Sequence, residues 1–236
     1  MRLAALVAQR RADIAAACRR LHARGLLAGT EGNLSCRLPD GTLLITASGV
    51  DKGAAEPADV LHLHADGTLR HDAWSDAPEG NAPARERRSR PSSELLMHLA
   101  CYAARADVQA IVHAHPPAAT GFAAAGCTLP ANVLPELPVV IGPVALVPYG
   151  RPGTVALGAA MQPYLASHDV FLLANHGVTV VGSSLTDAVL RMESVEQSAR
   201  ILLVARLLGG ATPLPAAEAE ALAALRAHRE PHAVIF

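Results

Sequence analysis

The chain is punctuated by short apolar runs that stop at polar residues. QAIVHAH (109–115) and VFLLANHG (170–177) each hold only a few consecutive apolar positions. Runs this short, bounded by turn residues, read as buried strands rather than helices. NLSCRL, TLLIT and DVLHLH, nearer the N-terminus, are three more strand candidates, separated by turns containing Gly and Asp that favour antiparallel pairing. A further strand is expected near VALVPY. Between them lie helical patterns. Residues 3–27 place Leu3, Leu6, Val7, Ile14, Cys18 and Leu21 on one face with arginines opposite and Gly25 near the end. Further helices are expected from SSELLMHLACYAAR, after the HAHPP segment and after RPGT. A long one spans about 184–208, with Val189, Met192, Val195, Ala199, Leu202 and Leu203 as its stripe and Gly209–Gly210 closing it. Strands and helices interleave without regular βαβ alternation. The expected fold is therefore a single α/β domain, with a mainly antiparallel central sheet layered by helices. Residues 74–91, rich in Pro, Ser, Gly and charge, read as a loop.

Composition narrows the function. The formal net charge is −1, so no general attraction to nucleic acid or anionic lipid is expected. The one basic cluster, ARERRSR (84–90), lies within the 74–91 loop and reads as solvated. No apolar run approaches the ~20 residues that span a bilayer. The apolar part of MRLAALVAQRRAD is too short for a signal peptide. Four cysteines (Cys18, Cys36, Cys101 and Cys127) contain no CxxC pair, which fits reduced thiols. A cytoplasmic protein without nucleic-acid or membrane partners is the expectation. Lys52 is the only lysine; every other basic residue besides histidine is arginine.

The candidate chemistry gathers around histidine. His113 and His115, two apart at the end of an apolar strand, share one face of it. His176 ends the second apolar strand. Three imidazoles on strand ends build a zinc-type site that keeps one position for substrate. The pair His62 and His64 has the same spacing but precedes the turn ADG, with Leu61 and Leu63 expected on the buried face, so both histidines read as solvent-facing. In PSSELL, Pro91 stops the preceding structure, Ser92 is a natural N-cap and Glu94 falls in the first helical turn, where N–H groups and the dipole suit an anion. TEGNLS (30–35) and TASGVDKG (46–53) are glycine-containing turns beside strands. Their backbone can approach a ligand closely, and Asn33, Thr46 and Ser48 add side-chain donors. Each motif alone is ordinary.

Together, PSSELLMHLACYAARADVQAIVHAHPPAAT, LLANHG, GNLS, ITASGVDKG and VPYGRPGT resemble the class II aldolase/adducin family, over about residues 5–208, with 209–236 as a C-terminal tail. Its best-known enzyme type is L-fuculose-1-phosphate aldolase. The resemblance implies that His113, His115 and His176 bind a zinc-like divalent ion (Zn2+, or Mn2+ or Co2+). It implies that Glu94 is the acid/base and an extra metal ligand in the free enzyme. Gly32, Asn33, Ser48, Gly49, Ser92 and Ser93 would hold a substrate phosphate. A homotetramer with sites at subunit boundaries, and cleavage of a phosphorylated ketose to dihydroxyacetone phosphate and an aldehyde, are implied as well. Relatives decarboxylate, dehydrate or epimerise related sugar phosphates, and adducin-like members are binding modules that lack the metal ligands. Retention of three histidines and Glu94 favours an enzyme.

Three departures stand out. In the aldolase a tyrosine from the neighbouring subunit, between the HxH and PYGxxGT segments, helps protonate the aldehyde. The corresponding stretch here, CTLPANVLPELPVVIG, has no tyrosine; Glu136 is its only ionisable side chain apart from Cys127. No tyrosine follows Tyr164, and the 74–91 loop looks long for the family.

A metal route needs no Schiff base, and Lys52 offers the only side-chain amine. Borohydride added during turnover should therefore leave activity and protein mass unchanged. A substrate adduct on Lys52, found by mass spectrometry, would refute the metal route.

Overall fold

Among the described residues seven strands form one sheet: β1 (Asn33–Arg37), β2 (Leu43–Thr46), β3 (Val60–Leu63), β4 (Ala110–Ala114), β5 (Val144–Val147), β6 (Val170–Leu173) and β7 (Gly177–Gly182). The order across the sheet is β3-β2-β1-β4-β7-β6-β5. Every adjacent pair is antiparallel except β5 and β6. The computed structural model describes residues 3–70 and 90–227, so most of the expected 74–91 loop, with its basic cluster except Arg90, lies outside the described residues. Among the described residues six α-helices accompany the sheet: α1 (Leu3–Ala23), α2 (Leu95–Ala104), α3 (Pro117–Ala124), α4 (Val155–Met161), α5 (Leu185–Leu207) and α6 (Ala216–Ala227). The expected α/β architecture with a mainly antiparallel sheet is present.

The two faces of the sheet differ in chemistry. One carries Leu34, Cys36, Val112 and Val180 in the apolar core beneath α1, α3 and α5. The other carries Asn33, Ser35, His113 and Thr179, and α2 lies over it through Met97 and His98. Strand alternation sorts these side chains: residues two apart share a face, so the polar ends collect on the α2 side while the helices opposite see aliphatic groups.

Several expectations need correction. β7 was not anticipated, because its GVTVVG follows His176 with only a tight turn between. Asn175 takes a positive φ of 57°, and His176 N–H bonds back to the Leu173 carbonyl at 3.0 Å, so the chain reverses without glycine at the turn's centre. Helix α2 starts at Leu95, so Glu94 occupies the N-cap position rather than the first turn. Ser92 acts one step earlier, its Oγ accepting from the Glu94 N–H at 3.3 Å. Leu203 does not continue the buried stripe of α5: it is 46% exposed, whereas Val189, Met192, Val195, Ala199 and Leu202 are buried. Leu203 lies about 100° around the helix from Leu202, which turns it away from the sheet. His62 is also misplaced by simple alternation. Both faces of β3 are covered, α1 reaching over this edge of the sheet, and His62 is buried with Nε2 2.8 Å from Thr42 Oγ1. His64 is exposed, as expected.

All four cysteines are free thiols. Burial pushes the Cys18, Cys36 and Cys101 thiols up to about 12, well above the range in which thiolate forms at neutral pH. Cys127 is only partly buried. A thiol reagent such as DTNB should therefore titrate Cys127 in the native protein and all four after denaturation. Rapid labelling of Cys18, Cys36 or Cys101 under native conditions would contradict this packing.

Candidate metal centre

Three adjacent strands build the site. Asn33 of β1 pairs with His113 of β4, and His113 pairs with Thr179 of β7, so the three side chains form a row across the sheet. His115 lies two residues beyond His113 on the same face, just past the end of β4. His176 comes from the β6–β7 turn. Glycine permits these approaches: a Cβ on Gly177 would meet His115 Cδ2 at 2.4 Å, and one on Gly32 would meet the His113 carbonyl oxygen at 2.5 Å.

The imidazoles converge. Their ring centroids are 5.1 Å (His113–His115), 4.8 Å (His113–His176) and 5.2 Å (His115–His176) apart. One ligand atom from each lies within 4.8 Å of the others. His113 Nε2 and His115 Nε2 are 3.2 Å apart. Tetrahedral coordination with Zn–N bonds of ~2.0–2.1 Å requires donor separations of about 3.3 Å, so this pair is already at ligand spacing. The other ring nitrogens are held from behind. His113 Nδ1 lies 3.0 Å from the Val178 carbonyl, which can only accept, so Nδ1 carries a proton and Nε2 is the nitrogen that faces inward. His115 Nδ1 lies 3.1 Å from Glu31 Oε2, a carboxylate–histidine arrangement of the same kind. The position of Glu31 in TEGNLS gives no local signal of a contact 84 residues away.

Glu94 completes the cluster. It is 8% exposed, with Oε2 2.9 Å from His113 Nε2 and Oε1 3.1 Å from His176 Nε2. Burial opposes its ionisation, but the His113 and His176 contacts outweigh burial and hold the carboxyl well below the usual carboxylate range. Glu94 Oε1 and His176 Nδ1 are nonetheless buried without a hydrogen-bond partner. Buried polar atoms left unpaired are costly, and a divalent cation among these lone pairs is the partner the donor set suits. Burial and its neighbour His113 also depress the pKa of His115, keeping its ring neutral, as a ligand must be.

The residues expected at the phosphate divide into two groups. Ser48 N–H bonds to the Arg90 carbonyl (2.9 Å) and Ser92 N–H to the Thr46 carbonyl (3.2 Å). These bonds set the Ser48–Gly49 turn beside Ser92–Ser93. Gly49 has φ +69° and Ser93 is exposed. The PYGRPGT loop approaches the same point, since a Cβ on Gly153 would lie 3.3 Å from the Ser93 carbonyl oxygen. Gly32, at φ +68°, backs onto His113 and joins this rim to the histidines. Asn33 turns its amide inward, with Nδ2 3.0 Å from Glu94 Oε2. Lys52 is 1% exposed, and its ammonium donates to the carbonyls of Thr30 (3.0 Å) and Val50 (2.9 Å), tying the two glycine turns together. Burial lowers its pKa, yet both bonds hold it away from solvent.

Comparison with known proteins gives this constellation a family. The model of the class II aldolase and adducin N-terminal domain matches residues 12–203. This chain belongs to the class II aldolase and adducin family. It is 35% identical over 185 residues to a 3-oxo-tetronate 4-phosphate decarboxylase of Escherichia coli (strain K12), covering 77% of this chain and 80% of that one. It is 33% identical over 220 residues to a 5-deoxy-D-ribulose 1-phosphate aldolase of Bacillus thuringiensis serovar kurstaki, covering 92% and 95%. Among solved structures, an L-fuculose 1-phosphate aldolase superposes with a TM-score of 0.76 at 30% identity, covering 92% of this chain and 94% of that one. The protein is thus an enzyme of the class II aldolase superfamily, with relatives that act on sugar phosphates and a histidine triad suited to a divalent metal.

Replacing His113, His115 or His176 by Ala should strip the metal and abolish activity. His62→Ala should keep metal content near that of the wild type and lower stability by ~1 kcal/mol, the cost of a lost buried hydrogen bond. Full metal occupancy in His115→Ala, measured by elemental analysis, would overturn the ligand assignment.

Proposed function

We propose that the enzyme is a carbon–carbon lyase that decarboxylates a small 3-oxo sugar-acid phosphate. The observation that carries this reading is a single buried carboxylate, Glu94, at the three-histidine cluster, in a chain with no tyrosine between residues 127 and 142. Aldol cleavage asks for two proton transfers at separate places, one from the distal hydroxyl that becomes the aldehyde and one to the carbon left behind. Loss of CO2 asks for no proton on the leaving group. One acid/base suffices for the carbon. The decarboxylase relatives support the same choice.

His113, His115 and His176 would hold a divalent ion, which would supply positive charge where electron density develops on the substrate. The chain's own residues do the rest. Gly32, Ser48, Gly49, Ser92 and Ser93, with Asn33 beside them, hold the phosphate and so fix the distance from that group to the reacting carbon. Glu94, ionised at rest, takes the proton of the hydroxyl next to the ketone. The carbon–carboxylate bond breaks, its electron pair forms the enediolate, and Glu94 returns the proton to the carbon. Water protonates the remaining alkoxide, giving dihydroxyacetone phosphate. Zn2+, Mn2+ or Co2+ as the ion, a homotetramer and a cytoplasmic location complete the proposal. Among the described residues no helix is long and apolar enough to cross a membrane.

Aldol cleavage of a ketose 1-phosphate is the second reading, favoured by the aldolase relative that spans 92% of the chain. Both reactions release dihydroxyacetone phosphate, so the second product decides. Purified enzyme supplied with Zn2+ should release CO2 from 3-oxo-tetronate 4-phosphate in step with dihydroxyacetone phosphate. Aldehyde from 5-deoxyribulose or fuculose 1-phosphate, without CO2 from the oxo acid, would establish the second reading instead. In either case Glu94→Gln should retain metal and lose ~10²–10⁴ in turnover. Near-normal turnover in folded, metal-loaded Glu94→Gln would end the mechanism.

A further inference from the structure

Behind Glu94 runs a buried chain of hydrogen bonds that the reaction itself does not use. Asn33 Nδ2 lies 3.0 Å from Glu94 Oε2, and Asn33 Oδ1 lies 2.5 Å from His98 Nε2. His98 Nδ1 is 2.6 Å from Ser35 Oγ, which is 2.8 Å from Tyr102 Oη. Asn33, Ser35, His98 and Tyr102 are all buried. Two periodicities bring them together. Glu94, His98 and Tyr102 are spaced by four, one face of a helical path, and Asn33 and Ser35 are spaced by two, one face of β1.

The direction of each bond follows from its neighbour. An ionised carboxylate only accepts, so Asn33 must turn its NH2 towards Glu94. Its carbonyl oxygen then faces His98 Nε2, which must carry the ring proton. Nδ1 is left as an acceptor, so the Ser35 hydroxyl donates to it, and the Ser35 oxygen accepts from Tyr102. Burial favours this neutral ring, pushing the His98 pKa down to about 3. The opposite His98 tautomer would set two lone pairs facing each other at 2.5 Å. A carboxamide does not pass a proton along readily, so Asn33 makes this a scaffold rather than a proton wire.

We propose that His98, backed by Ser35 and Tyr102, is a positioning residue that locks the Asn33 amide in the one orientation that donates to Glu94. The proposal rests on the reading of Glu94 as the acid/base. It assigns Asn33 a task beyond phosphate binding: its two polar ends connect the proton-transfer carboxylate to the buried scaffold.

The test combines two variants with a measurement on the unaltered protein. His98→Phe keeps a buried ring but loses both bonds. His98→Gln has an amide that can donate to Asn33 and accept from Ser35. With Zn2+ loaded, and well below the melting temperature, His98→Phe should lose about 10–100-fold in kcat, the usual cost of removing such a support, with zinc content unchanged. His98→Gln should recover most of that loss. Nitrogen-15 NMR of the wild type should show His98 protonated at Nε2 and bare at Nδ1. Unchanged kcat in folded His98→Phe, equal losses in both variants, or the opposite tautomer would each overturn the proposal. Glu94→Gln assayed alongside separates the two levels. An active Glu94→Gln removes the underlying reading, whereas an inactive one beside a fully active His98→Phe removes only the positioning role.

Discussion

The pairing of Asn33 with His113, and of His113 with Thr179, across β1, β4 and β7 is the contact on which the site depends. Side-chain direction in a strand has period two, so a slip of one residue at either pairing would turn His113 into the aliphatic layer under α1 and α5. The register is fixed from the other face. Leu34, Val112 and Val180 lie in one row of the core, and exposing them to move His113 would cost roughly 1.5–3 kcal/mol for each side chain. Hydrophobic burial on one face therefore aims the imidazoles on the other. Gly32 and Gly177 act in the same sense, by letting backbone pack directly against His113 and His115.

Within that frame the cluster joins groups that are costly apart. An ionised carboxylate in a buried position needs charge or donors around it. Glu94 accepts one hydrogen bond from Asn33 and stands between His113 and His176, yet Oε1 keeps no hydrogen-bond partner. The site thus stores polar cost that a bound cation would relieve, and the carboxylate proposed as acid/base is part of it. Lys52 illustrates a different use of a buried charge. Its ammonium donates to two backbone carbonyls and holds the glycine turns together.

Much of this was legible in the sequence because the informative residues sit where local patterns end. His113, His115 and His176 close apolar runs, and Glu94 follows a proline and two serines; strand and helix boundaries are where polar groups are allowed to accumulate. The sequence was less informative where tertiary covering decides. His62 alternates with leucines as a solvent-facing residue should, but α1 lies over that face of β3 and buries it. β7 was missed because Asn175 adopts a left-handed conformation in a turn too short to show as a break. Glu31 and His98 act through partners 84 and 65 residues away, which no local spacing reveals. The period of four linking Glu94, His98 and Tyr102 was visible, but without β1 opposite it had no meaning.

X-ray absorption at the metal edge tests the central claim most directly, because it reads the ligands themselves. For the protein loaded with one Zn2+ per chain, the account predicts a first shell of nitrogen and oxygen at ~2.0–2.1 Å, with the outer-shell pattern of three imidazoles. His176→Ala, which should not retain the ion, should lack that pattern altogether. A sulfur shell at ~2.3 Å, or a spectrum without imidazole scattering, would contradict it and place the metal elsewhere in the chain.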